Sequence, residues 1–312
     1  MGELSNKIGK NGEAIIEALF KEYIGYPDYR ENLSISCHNQ SEHAELRNNK
    51  SPTHGIDGLV HYRTPLDENV LEIGFISVKH SGNPYPKYPR STFKKHFIDL
   101  ATGLECFKYS TILSEVQSIA KRVKKTRVIG VLFWLSNNEE SKNQDLLEEL
   151  SKSQLESLQI PFDEIIIVDN ARLQFIVNSL ERIKLLSGNN YQFVYPSTGL
   201  NFKADSNENF GLQMPMEFFA YGVLPFRYTK DGETIFHLAC GEGFSEETLV
   251  QIISLAKNFD KLQATKKITI TFPNYNSQDH QDIISKVKSY FDDQEFTNQI
   301  KISGQYSDFR NI

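Results

Sequence analysis

Hydrophobic and polar positions change period several times along the chain. Ala14, Ile15, Ala18 and Leu19 recur at helical spacing between Gly12 and Tyr23, with Asn11 as a candidate N-cap and Gly25 as a stop, so a helix is predicted there. Leu33 to Cys37 reads as a short strand, and the polar stretch Asn39 to Thr53 reads as a loop. Ile56 to Tyr62 and Val70 to Lys79 are β-rich runs separated by the polar turn Thr64 to Asn69, the pattern of a hairpin. Ser91 to Lys125 reads as one or two helices. Val128 to Leu135 is continuously apolar, with Trp134 as a core residue, as in a strand buried on both faces. Glu139 to Leu158 predicts a polar amphipathic helix, Glu164 to Val168 a buried strand, and Ala171 to Leu186 a helix.

After the turn Ser187-Gly188-Asn189-Asn190 the alternation restarts. Strands are predicted at Met216–Tyr228 and Thr234–Cys240, joined by the turn Lys230-Asp231-Gly232. They are followed by a helix at Ser245–Phe259, a strand at Lys267–Phe272, a helix at His280–Phe291 and a strand at Gln299–Ser303. The expected class is α/β in two parts: residues 1–187, and a smaller α/β module over residues 191–312 for substrate recognition or subunit assembly.

With 39% hydrophobic and 12% aromatic residues, the 312-residue chain has the composition of a folded protein with a sizeable core. A net charge of -6 argues against a generic nucleic-acid coat but leaves room for a local basic groove. Cys37, Cys106 and Cys240 are far apart in sequence, so neither a disulfide framework nor a cysteine-rich zinc site is indicated. Cys37, His38, His43 and His54 offer ligand atoms, but their spacing fits no familiar closed zinc site and none is expected. The N-terminus lacks a basic-then-apolar signal and no apolar run could span a bilayer, so a cytoplasmic location is expected. There is no P-loop and no Gly-x-Ser-x-Gly elbow, which argues against a nucleotide motor and a serine hydrolase.

The candidate chemistry lies in the hairpin. Asp57 opens one strand in Gly55-Ile56-Asp57-Gly58-Leu59-Val60, and Lys79 closes the next in Phe75-Ile76-Ser77-Val78-Lys79. Side by side, a carboxylate and an ammonium are the minimum equipment for metal-assisted phosphodiester hydrolysis. The upstream helix offers Glu13 and, one turn on, Glu17. Singly, Asp57 reads as a turn carboxylate, Lys79 as a solvated strand end and Glu13 as a helix-start acid; their order carries the argument. Beyond Lys79, His80, Lys87, Arg90, Lys94 and Lys95 interleave with Tyr85, Tyr88 and Phe93, a composition suited to a phosphate backbone with unstacked bases.

Gly-x-x-Gly-Glu on a helix, Ile-Asp-Gly on a strand and Ser-Val-Lys on the next strand together resemble the PD-(D/E)XK, or restriction-endonuclease-like, nuclease superfamily over about the first half of the chain. The resemblance implies a mixed central sheet flanked by helices. It also implies a nuclease using Mg²⁺ (or Mn²⁺) on DNA or RNA. Asp57 and Glu13, with a carbonyl near Val78 and Glu17 as a further helix carboxylate, would hold the cation; Lys79 would position or help deprotonate the attacking water. Ser77 departs from the pattern, standing where the family has a second carboxylate or a glutamine. It is expected to make a water-mediated contact. Glu72, Asp99 and Glu105 are poor substitutes on sequence grounds. The departure leaves an alternative: a catalytically decayed subunit that binds nucleic acid or scaffolds a complex. The phrase Ser77-Val78-Lys79-His80-Ser81 is also similar to nuclease subunits of bacterial anti-phage defence systems, which implies an endonuclease acting with a co-encoded protein subunit and leaves a homo-oligomer open.

Overall fold

The computed structural model describes residues 2–155, 158, 160–201, 209–259 and 267–305, with side chains from Lys10 onward. The chain divides into two compact units, Met1–Gln174 with Pro215–Ala220, and Phe175–Met214 with Tyr221–Ile312.

The first unit is built on a mixed five-stranded sheet of order β1-β2-β3-β4-β5. Strands β1 (Arg30–Ser36), β2 (Thr53–Arg63) and β3 (Val70–Ser81) run antiparallel, while β4 (Lys125–Ser136) and β5 (Glu164–Val168) continue parallel to β3. Helix α1 (Gly2–Ala18), closed by a π-helical turn at Leu19–Tyr23, packs on β3. Helix α2 (Gln40–Arg47) links β1 to β2, and α3 (Pro89–Phe107) and α4 (Thr111–Ile119) link β3 to β4. Both faces of the sheet are covered, which is why β3 and β4 read as unbroken apolar runs rather than as alternation. On one face Phe75, Phe93, Phe97, Leu104, Phe107 and Leu132 form the core beneath α3. On the other, Phe20 is fully buried between Tyr29, Phe133 and Phe219, with ring centroids 5.1, 6.3 and 5.7 Å away. Each such fully buried side chain contributes about 1.5–3 kcal/mol relative to exposure.

The second unit has a six-stranded sheet of order β11-β10-β9-β8-β6-β7. It comprises β6 (Tyr191–Val194), β7 (Phe210–Gly211), β8 (Val223–Lys230), β9 (Glu233–Cys240), β10 (Lys267–Phe272) and β11 (Ile300–Gly304). Its core, including Leu238, Leu249, Ile253, Ile270 and Phe272, is completed by α7 (Glu246–Phe259) and α8 (Ser277–Lys288). Asp231 and Gly232 both have positive φ (54° and 78°), the backbone of a primed hairpin turn between β8 and β9. Among the described residues no helix is long and apolar enough to cross a membrane.

Four expected elements differ. Helix α1 starts at Gly2 rather than after Asn11, because Gly12 serves packing rather than a helix start. The expected loop contains α2, whose one buried side chain is His43; a helix with a single buried polar residue carries no apolar stripe to read. The expected helix Glu139–Leu158, of which residues 156 and 157 lie outside the described residues, is represented among the described ones up to residue 155 by a 3₁₀ turn, Glu139–Ser141, and α5 (Leu147–Ser151). Asn138, Asp145 and Asp169 accept bonds from the amides of Glu140, Leu147 and Leu146, and such local bonds compete with a continuous helix. The strand expected from Met216 begins only at Val223. Met216, Phe218 and Phe219 instead form a buried 3₁₀ turn belonging to the first unit, and the division between units falls within α6 (Asn170–Ser187).

Candidate active site

Two glycines bring the candidate groups together. A Cβ on Gly12 would lie 2.5 Å from the Cβ and 2.7 Å from the Cγ of His80, so only glycine lets α1 lie this close to the end of β3 and carry Glu13 there. A Cβ on Gly58 would overlap the Tyr29 hydroxyl, which therefore sits over β2 next to Asp57. In the hairpin Gly58 faces Ile76, so Asp57 and Ser77 are the next residues along. Here the Val78 amide donates to Asp57 Oδ2 at 2.6 Å, and the Ser77 hydroxyl is close enough to the same carboxylate to favour its ionised form. Lys79 Nζ reaches Asp99 Oδ2 on α3 at 2.8 Å.

These groups act on one another electrostatically. Burial raises the Asp57 pKa, against the lowering effects of the Val78 amide and Lys79. Glu13 is also raised, by burial first and then by the Asp57 carboxylate. Burial acts to lower Lys79, but Asp99, Asp57 and Glu13 outweigh it, so its pKa rises and the ammonium is kept. Tyr29 is raised as well, by burial and then by Asp57, Glu17, Glu31 and Glu13, which keeps its hydroxyl protonated. Lys79 thus faces three carboxylates, and two of them resist ionisation. Hard oxygen donors with surplus negative charge fit a divalent cation such as Mg²⁺ or Mn²⁺.

Other residues singled out in the sequence lie elsewhere. Glu17 pairs with Lys21 at 2.5 Å. His80 packs its side chain against Gly12. Lys87 lies over the Tyr88 ring, 5.7 Å from its centroid, and Arg90 is paired with Glu149 at 2.8 Å. Arg90, Lys94 and Lys152 line a surface cleft of about 540 Å³ beside Tyr88, which is 75% exposed; Lys95 is exposed nearby. Glu72 is fully buried and bonded to Tyr62 and Arg127. Glu105 bonds His43.

Sequence reasoning missed Tyr29, which no motif marks, and undervalued Asp99, whose position twenty residues after Lys79 becomes informative only once α3 folds back over the hairpin. It also did not foresee how the cysteines and histidines are placed. His38 stacks on Tyr109, with centroids 4.0 Å apart, but Cys37, His43 and His54 converge with the distant Cys106, their ligand atoms all within 4.8 Å of one another.

No curated protein and no solved structure matches the chain. Residues 1–172, more than half of it, match the family described as the GAPS4 protein PD-(D/E)XK nuclease domain. That match covers α1, the β2–β3 hairpin and α3, the elements that bring Glu13, Asp57, Lys79 and Asp99 together. The chain therefore belongs to the PD-(D/E)XK nuclease-domain family of GAPS4 proteins.

Proposed function

We propose that this protein is a metal-dependent nuclease that hydrolyses phosphodiester bonds of DNA or RNA in anti-phage defence. The observation that carries the reading is the grouping of Glu13 and Asp57 around the end of β3, with Lys79 within electrostatic reach of both and of Asp99. Glu13 and Asp57 would hold Mg²⁺ or Mn²⁺. The Val78 carbonyl, which leaves the strand on the same edge as the amide bonded to Asp57, would be a further ligand. When bound, the cation offsets charge developing on the scissile phosphate and lowers the pKa of water.

The protein's own groups have distinct tasks. Lys79, kept as an ammonium, orients the phosphate or the attacking water; it does not serve as the proton acceptor. Ser77 orients Asp57 through its hydroxyl rather than ligating the cation. Asp99 supplies from α3 the carboxylate that β3 lacks at position 77, and it holds Lys79 in place. Lys94, Lys95, Lys87 and Arg90 beside exposed Tyr88 offer a phosphate-binding flank with a stacking surface. The second unit, without a comparable acid–lysine grouping among its described residues, would select substrate or bind a co-encoded subunit. Ser77 is the one feature favouring the rival reading of a decayed, scaffolding subunit.

The test is cleavage of labelled single- and double-stranded DNA and RNA with Mg²⁺ or Mn²⁺, with Lys79→Ala and Asp57→Asn as controls. Cleavage abolished by EDTA and by both substitutions is expected. Cleavage undiminished in EDTA sinks the mechanism, and binding without any cleavage in the presence of the partner subunit favours the rival.

A further inference from the structure

The first unit contains a second group of metal-type donors away from the β3 end. Cys37 follows β1, His43 is on α2, His54 is near the start of β2, and Cys106 is near the end of α3. His43, His54 and Cys106 are buried, at 1%, 3% and 1% exposure. Their spacing in sequence follows no finger or ribbon pattern, because four separate elements each contribute one residue.

The distances among Cys37, His43 and Cys106 match three corners of a tetrahedral cage. Zinc bound to sulfur at about 2.3 Å and to nitrogen at about 2.0–2.1 Å, with tetrahedral angles, places two sulfurs about 3.8 Å apart and a sulfur and a nitrogen about 3.6 Å apart. Here the Cys37 and Cys106 sulfurs are 4.0 Å apart, and each lies 3.4 Å from His43 Nδ1. His54 completes the set within the common 4.8 Å span.

The hydrogen bonding is incomplete without a cation. His43 Nε2 lies 3.1 Å from Glu105 Oε2; a carboxylate accepts, so Nε2 donates, and Nδ1, which carries one lone pair when the ring is neutral, faces both thiols. A single lone pair cannot serve two S–H donors well. Neither ring nitrogen of the buried His54 has a hydrogen-bond partner among the described residues. Leaving such groups unpaired in a core is destabilising, and a bound cation removes the penalty. The Cys106 sulfur meanwhile accepts the His38 backbone amide at 3.2 Å.

We propose that Cys37, His43, His54 and Cys106 bind one structural Zn²⁺, independently of the nuclease cation. Two thiolates and two neutral imidazoles form a closed, soft donor set suited to zinc rather than to the hard cation of the active site. Binding releases the two thiol protons to solvent and leaves the cage formally neutral. Glu105 orients His43 as an outer-sphere acceptor. The ion fastens α2 and the end of α3 to the β1–β2 edge.

The experiment is elemental analysis of the full chain purified under reducing conditions without chelator. About one zinc per chain is expected, retained in Asp57→Asn and in Cys240→Ser and lost in Cys106→Ser and His54→Gln. Retention in Asp57→Asn separates this site from the proposed nuclease cation, so the result stands whether or not cleavage is found. Glu105→Gln is expected to weaken zinc by about 10–100-fold in competition with a chromogenic chelator. Should the cysteine variant not fold, Co²⁺ added to stripped wild-type protein gives the independent reading: intense visible bands of tetrahedral cobalt with thiolate charge transfer. Wild-type protein with less than about a tenth of a zinc per chain and no thiolate–cobalt spectrum overturns the proposal, as does zinc retained in a folded Cys106→Ser variant.

Discussion

Gly12→Ala sets two physical effects against each other. In a helix interior alanine is favoured over glycine by about 1 kcal/mol, so propensity alone makes the variant more stable. The added methyl, however, would sit 2.5 Å from His80 Cβ. Ordinary carbon contacts are about 3.5–4.0 Å, so the helix must retreat by about 1 Å. His80 Cβ cannot swing aside, because it is fixed to the β3 backbone. Overpacking of this kind costs about 1–3 kcal/mol, so net stability should fall by no more than about 2 kcal/mol. Function should suffer more, since Glu13 is carried on the displaced helix and a misplacement of about 1 Å can cost about 10²-fold in rate. The assay is the initial cleavage rate as a function of Mg²⁺ concentration, with a thermal melt beside it. Gly55→Ala is the control, because no neighbouring atom lies within 4 Å of its added Cβ. Removing the opposing Cβ by His80→Gly should recover Mg²⁺ dependence in the double variant. A Gly12→Ala protein with wild-type rate and wild-type Mg²⁺ dependence would refute the argument that this close approach positions Glu13.

Asp57→Asn should abolish cleavage, whereas Ser77→Ala should reduce it by about 10- to 150-fold at most, since losing one hydrogen bond to a charged group costs about 1.5–3 kcal/mol; equal and complete loss in both would mean that Ser77 has been misassigned. Glu13 and Asp57 have raised pKa values in the folded protein, so their contribution to stability is present at low pH and is lost as pH rises through the folded values. Cation binding needs the ionised forms, so Mg²⁺ should raise the melting temperature more at pH 8 than at pH 5, and an equal increment at both would contradict the assignment. Arg127 is paired with both Glu72 and Glu217, and Arg127→Leu should destabilise the protein by about 3–5 kcal/mol by leaving buried carboxylates without a counter-charge. Burial, then the charge of Glu72, pushes Glu217 up to about 7, so in urea melts the loss should be largest above pH 7 and shrink toward pH 5, where the acid is protonated.

The sequence was most legible where one physical cause acted alone. Continuous apolar runs marked β3 and β4 because both faces of that sheet are covered, and Asp231-Gly232 marked its hairpin because few residues accept positive φ at two successive positions. Glu13, Asp57 and Lys79 were legible because they sit at fixed points of a helix and a hairpin whose order along the chain is diagnostic. What was hidden depends on contacts between distant elements. Helix α2 has no apolar stripe because its inward residue, His43, faces two sulfurs rather than a hydrocarbon core. Cys106 lies 69 positions from Cys37, so no spacing rule pairs them. Gly12 looked like a helix boundary, and only the proximity of His80 gives its other reason.

The same reasoning bears on Ser77, the departure that most weakens a purely sequence-based case for activity. Ser77 is buried at 7% exposure and directed at Asp57, which already resists ionisation. A carboxylate at position 77 would place a second buried negative charge against Asp57, and like charges in a poorly solvated site disfavour each other's ionisation. Asp99 lessens that conflict: its side chain is 48% exposed, it approaches from α3, and it is paired with Lys79, so its charge reaches Asp57 only as a smaller upward push behind burial. On the proposed reading the acid has been relocated rather than lost, and the relocation couples it to the lysine. Asp99→Asn should therefore do two things that a mere surface change would not. It should lower the Lys79 pKa, because Asp99 is the strongest of the charges holding it up, and it should weaken Mg²⁺ dependence of cleavage. A lysine nearer neutrality would be reactive toward amine-modifying reagents at lower pH, so labelling of Lys79 followed by peptide mass spectrometry measures the first effect without requiring cleavage. If labelling shifts and cleavage does not, Asp99 only positions Lys79. If neither shifts, the pair is a surface contact, and the third carboxylate must be sought elsewhere.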